Sequence, residues 1–136
     1  MKKILLLLLV ALSTNSFSQE KKLDEKLFGS WSGTEKDNQR VGLTKNWIMH
    51  RFEDGRFILL FTMVEDGEVT NFTESGRCWT EGNIFYEFHN NSGETDVYTY
   101  QILNDSQVKF KAKSLKSEHA NQEYEFIDTK LEEGDL

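Results

Sequence analysis

The chain has 136 residues, of which 16 are basic and 23 acidic, a formal charge of −7, with one cysteine and no proline. That length allows a single domain with a modest core. The acidic balance argues against nucleic acid as a partner, and a lone cysteine excludes an internal disulfide, so stability has to come from packing.

Residues 1–18 begin with Lys2 and Lys3, continue through the apolar run Ile4 to Leu12 and end in small polar residues. This is the pattern of a secretory signal peptide. The run is much shorter than the ~20 residues that span a bilayer, and no later stretch is apolar enough to stop transfer, so no integral membrane span is expected. Ser16 and Ser18 occupy the −3 and −1 positions of a cut before Gln19, and no cysteine follows the cut to accept a lipid. The expectation is a free protein, secreted or periplasmic, whose residues 19–136 form one domain. The leader holds two of the basic residues and none of the acidic ones, which leaves 14 against 23 and a charge of −9.

From Lys21 to Phe28, Leu23, Leu27 and Phe28 recur at helical spacing, which predicts one or two turns of helix. Gly29 stops it, and Ser30 to Lys36 reads as a first strand. After a turn at Asp37-Asn38-Gln39, a second strand runs from Leu43 to Phe52, with Leu43, Trp47 and Met49 on one face and Ile48, His50 and Phe52 on the other. Glu53-Asp54-Gly55-Arg56 has hairpin chemistry, and Phe57 to Val64 is apolar almost throughout. Glu65-Asp66-Gly67 repeats the turn. The fourth strand, Glu68 to Thr80, is long enough to predict a bulge or bend at Ser75-Gly76.

Past Glu81-Gly82-Asn83, Ile84, Tyr86 and Phe88 alternate against Phe85, Glu87 and His89. Thr95 to Leu103 places Tyr98, Tyr100 and Ile102 on one face. Gln107 to Ser114 alternates most cleanly, with Val108, Phe110 and Ala112 facing in, while Lys109, Lys111 and Lys113, continued by Lys116, form a solvated outer stripe that also discourages edge pairing. Gln122 to Leu131 sets Tyr124, Phe126 and Asp128 against Glu123, Glu125 and Ile127.

Eight strands spaced about 8 to 12 residues apart, joined by tight polar turns, favour sequential hairpins. The fold class is all-β: an eight-stranded antiparallel up-and-down barrel with a short N-terminal helix. Such a barrel is just wide enough to be filled by side chains or to hold one small ligand.

With Gly29-Ser30-Trp31 at the start of the first strand, just after the short helix, the chain resembles the lipocalin-like barrels of the calycin superfamily, small bacterial secreted members above all. The resemblance implies binding of a small hydrophobic molecule inside the barrel. It also implies a structural role for Trp31, closing one end, with Lys130 of the last strand stacked over the ring.

Catalytic chemistry finds little support. His50, His89 and His119 lie on separate elements without the spacing of a metal pair, and no nucleophile elbow, phosphate loop or calcium loop occurs. Neither a metal nor a cofactor is implied. Cys78, beside Trp79, reads as a buried small hydrophobe. Acid–base chemistry from an inward carboxylate, Asp128 on alternation alone, is the remaining enzymatic option. Asn71, Asn90 and Asn104 match the glycosylation pattern, relevant only in a glycosylating host.

The aromatic residues are the better lead, because inward tyrosines line a pocket and aim a hydroxyl at a ligand. The candidate ligand-binding residues are Trp47, Arg77, Trp79, Tyr86, Tyr98, Tyr100 and Tyr124, with Arg77 as a carboxylate anchor. Two functions follow. One is an exported barrel that binds a small, largely apolar ligand; the other is a filled barrel acting on protein partners through its acidic surface.

Overall fold

A computed structural model describes residues 20–36, 41–115, 124–132 and 134. The leader at 1–18, the turn at Asp37-Asn38-Gln39, Lys116 and His119 lie outside the described residues.

Eight strands follow one another: β1 (Gly29–Lys36), β2 (Leu43–Arg51), β3 (Arg56–Glu65), β4 (Glu68–Glu81), β5 (Ile84–His89), β6 (Thr95–Asn104), β7 (Gln107–Ser114) and β8 (Glu125–Lys130). Each pairs antiparallel with the next, and β8 returns to β1 through Trp31–Lys130, Ser32–Thr129 and Gly33–Asp128, closing the barrel. Closure leaves the sheet without an outermost strand. No helix among the described residues is long and apolar enough to cross a membrane.

Period-two alternation decides which side chains fill the lumen. On β7, Val108, Phe110 and Ala112 are buried while Lys111 and Lys113 are exposed; Lys109 reaches across to Glu125 at 3.5 Å. On β2, Trp47, Met49 and Arg51 point in, and Ile48 faces water. The core is one cluster running from Leu23 and Leu27 through Trp31, Met49, Phe57, Phe85 and Phe110 to Trp47 and Tyr98.

The predicted N-terminal helix is reduced to a single 3-10 turn, Glu25–Leu27, capped by Asp24, whose carboxylate accepts from Lys26 N. The segment is short because it is a plug. Leu23 and Leu27 are buried against the barrel, a burial worth roughly 1.5–3 kcal/mol for each leucine. The Thr80 amide donates to Lys22 O, Asp24 N donates to Thr80 Oγ1, and Tyr100 Oη donates to Asp24 Oδ2. Trp31 Nε1 donates to Leu27 O at 3.0 Å, with Lys130 Nζ 5.8 Å from the Trp31 ring. That end of the barrel is shut.

β4 is long for a different reason than an inserted residue. Glu68 to Arg77 pair with β3 and Gly76 to Glu81 pair with β5, so its two halves serve different neighbours and overlap at Gly76 and Arg77. Neither ladder shifts register there. The irregularities fall instead between β6 and β7, at Val97/Tyr98 and Ile102/Asn104. Gly76 marks a close approach: a Cβ on it would collide with Phe88 O and the Phe57 ring. Gly76→Ala is therefore expected to cost about 1–3 kcal/mol of stability, as overpacking does. Urea denaturation checks this, and a change within about 0.5 kcal/mol, the ordinary surface range, would contradict the contact.

Candidate functional site

The deepest polar group is Asp128 on β8, with no exposed surface. Its Oδ2 lies 2.6 Å from Arg51 Nη2, and its Oδ1 accepts from Trp47 Nε1 at 2.8 Å. The indole reaches it because β1 carries Gly33 at the crossing, where any Cβ would run into the Trp47 ring. Arg51 is 1% exposed. Its guanidinium carbon sits 5.1 Å from the Phe110 centroid, 5.3 Å from Phe85 and 5.7 Å from Trp31. Among the described residues Nε and Nη1 find no hydrogen-bond acceptor, which leaves them to these ring faces. A buried charge persists only when paired. Here one carboxylate and three π-faces share the cation.

On the mouth side of Asp128 lies a chamber of about 70 Å³, lined by Trp47, Met49, Leu59, Phe61, Glu87, Tyr98, Tyr124, Phe126 and Asp128. That is several-fold below the about 300–1,000 Å³ of pockets for drug-sized ligands. Its walls are rings in mutual contact: Trp47 stacks on Phe61 at 6.0 Å, and Phe126 meets Trp47 edge-on at 5.1 Å and Tyr98 at 5.6 Å. Phe61, Tyr124 and Phe126 are half-buried and join the chamber to the mouth, where Phe72 stacks on Phe61 at 4.9 Å. Burial, with the nearby carboxylates of Glu87 and Asp96, holds the Tyr98 phenol well above its ordinary range; burial and Glu35 do the same for Tyr124. Both stay neutral.

Beside the chamber, His89 is packed among Glu74, Glu87 and Asp96 at 2.9, 3.2 and 3.2 Å. Their oxygens lie off the ring N–H directions, so the contacts are ionic. Burial works to lower the His89 pKa, but Asp96, Glu87 and Glu74 outweigh it and lift it to about 10. Cys78, pushed up to about 12 by burial, is an inert thiol.

The sequence-derived candidates separate into three groups. Trp47, Tyr98 and Tyr124 line the chamber. Tyr100 lies at the plugged end, its hydroxyl donating to Asp24 and Gly82 O. Arg77, Trp79 and Tyr86 do not face the lumen, because Cys78, Phe85 and Glu87 beside them in sequence take the inward positions. Trp79 and Tyr86 stack on the outer wall at 5.2 Å with Lys21 Nζ 4.2 Å from the Trp79 ring. Arg77 and Trp79 border an outer groove of about 590 Å³ with Asp54 and Phe88. Arg77 as an interior carboxylate anchor is thereby corrected. Arg51, Glu87, Phe61 and Phe126 were not among the candidates, although period two counted from Trp47 reaches Arg51 directly. His50 lies within 2.7 Å of Ser30 Oγ, and no group among the described residues has the makings of a metal site.

Two outcomes are expected. Arg51→Met strands Asp128 and should cost about 3–5 kcal/mol, while the double replacement Arg51→Met with Asp128→Leu should be more stable than either single variant; equilibrium denaturation of the three proteins checks both points. Because the folded pKa of His89 exceeds its unfolded value of 6.5, its ionic stabilisation is complete below about pH 6.5 and is lost as pH rises toward 10. The stability gap between the protein and His89→Gln should therefore shrink across that interval, and a gap that widens would contradict the cage. No protein-family model matches the chain and no curated protein matches it, so function rests on the fold and the chamber.

Proposed function

We propose that the protein is an exported lipocalin-like binding barrel that receives a small ligand through the mouth between Phe61 and Tyr124. One observation carries the reading. The barrel is sealed at its Trp31 end, and at the other end it keeps an aromatic-walled chamber with polar atoms at its base. Rings give a ligand contact area, and Tyr98, Tyr124 and Glu87 supply the few polar groups that fix orientation. The volume restricts the ligand to a very small molecule, or to the head group of a larger one whose remainder stays in the mouth.

The same volume favours a second reading, a filled barrel that acts on a protein partner through its acidic surface. The two differ in whether the chamber is ever occupied. Native mass spectrometry of the mature protein, purified without detergent from its own host, should show a discrete adduct released by solvent extraction. The adduct should vanish in Leu59→Phe, which fills the chamber with a ring in place of a branched chain. An apo mass for both proteins supports the filled barrel instead.

A further inference from the structure

We propose that the chamber selects a protonated primary amine: an alkylammonium head group seated among the rings of Trp47, Phe61 and Phe126 and facing Glu87. This inference rests on the chamber being the ligand site.

The charge of the lining points that way. Glu87 and Asp128 contribute carboxylates to the chamber wall, and no lysine or arginine does. Two deep cations stand behind this wall, and both are engaged. Arg51 is spent on the far oxygen of Asp128 and on three rings of the plugged end, while the single charge of His89 is shared among Glu87, Glu74 and Asp96, so the carboxylates outnumber the cations. Past Lys45, which is paired with Glu35 at the mouth, an anion therefore meets an excess of carboxylate and the negative faces of aromatic rings, both repulsive. A cation meets the same groups as attraction, and cation–π contact is strongest in a desolvated site of this kind. The raised phenols of Tyr98 and Tyr124 reflect burial first and then the same carboxylate field.

A second observation comes from the chain's own ammonium group. Glu35 is buried, and its Oε2 has no hydrogen-bond partner among the described residues. Lys45 Nζ stands 3.6 Å from that oxygen and 5.9 Å from the centroid of the Tyr124 ring. At the mouth, then, an alkylammonium already occupies a place between a buried carboxylate and an aromatic face, held loosely at both distances. A ligand ammonium enters a field built for its charge, and Lys45 competes with it.

The test is an NMR titration of the isotope-labelled mature protein, following the indole N–H of Trp47, which is hydrogen-bonded at the base of the chamber. The probes are propylammonium, 1-propanol and propionate, similar in size and different in charge. Saturable binding of propylammonium, with affinity about tenfold weaker for the alcohol and no response to propionate, is the expected result. Glu87→Gln should erase the preference over the alcohol, and Lys45→Met should strengthen propylammonium binding by removing the competing ammonium. Equal binding of propanol, or preference for propionate, in the unaltered protein overturns the charge class while leaving the chamber as the ligand site. No response of Trp47 to any of the three overturns both readings. Because the comparison of probes needs no variant, a folding defect in Glu87→Gln cannot mask the answer.

Discussion

A carboxylate sealed from water in the middle of an aromatic barrel constrains everything around it. Asp128 has to find a cation and a donor, and it finds both on β2, in Arg51 and Trp47. Because β2 and β8 flank β1, the pair spans the seam where the barrel closes, and Gly33 of β1 must lack a side chain for the indole to pass. A slip of one residue at the seam would turn Asp128 outward and leave Arg51 buried alone. A buried pair of this kind serves to specify register more dependably than to add stability.

That arrangement also divides the lumen. Below the ion pair, Trp31, Phe85, Phe110 and the leucines of the N-terminal plug fill the barrel, and the guanidinium lies among their rings. Above it, packing loosens into a small chamber whose walls are aromatic and whose charges are negative. An eight-stranded barrel has room for side chains or for one small ligand, and here it divides that room between the two. The floor of the chamber is also the top of the core. The mouth carries the more exposed residues, including Phe72, which is 37% exposed.

Much of the fold was legible because alternation is a strong signal where one face is apolar and the other charged. The Lys-x-Lys-x-Lys stripe of β7 fixed the inward set Val108, Phe110 and Ala112, and the same parity placed Asp128 inside. Legibility failed where residue type and parity disagree. Trp79 and Tyr86 looked like pocket residues by chemistry, yet Cys78, Phe85 and Glu87 take the inside, and the two rings cover each other on the outer wall. Parity alone reaches Arg51 from Trp47, but nothing local announces its partner, which lies 77 residues away. The length of β4 suggested a bulge, whereas the cause is the exchange of neighbours at Gly76, a property of topology that sequence does not display.

Hydrogen exchange at the indole N–H groups probes the Asp128 arrangement most directly. The three tryptophans report from the plug, the chamber floor and the outer wall: Trp31 bonded to Leu27 O, Trp47 to Asp128, and Trp79 stacked outside on Tyr86. The Trp31 and Trp47 indoles should exchange as slowly as the core amides of β7, and Trp79 orders of magnitude faster. Fast exchange at Trp47, comparable with Trp79, would mean that Asp128 does not hold the indole, and the organisation of the lumen described above would fall with it.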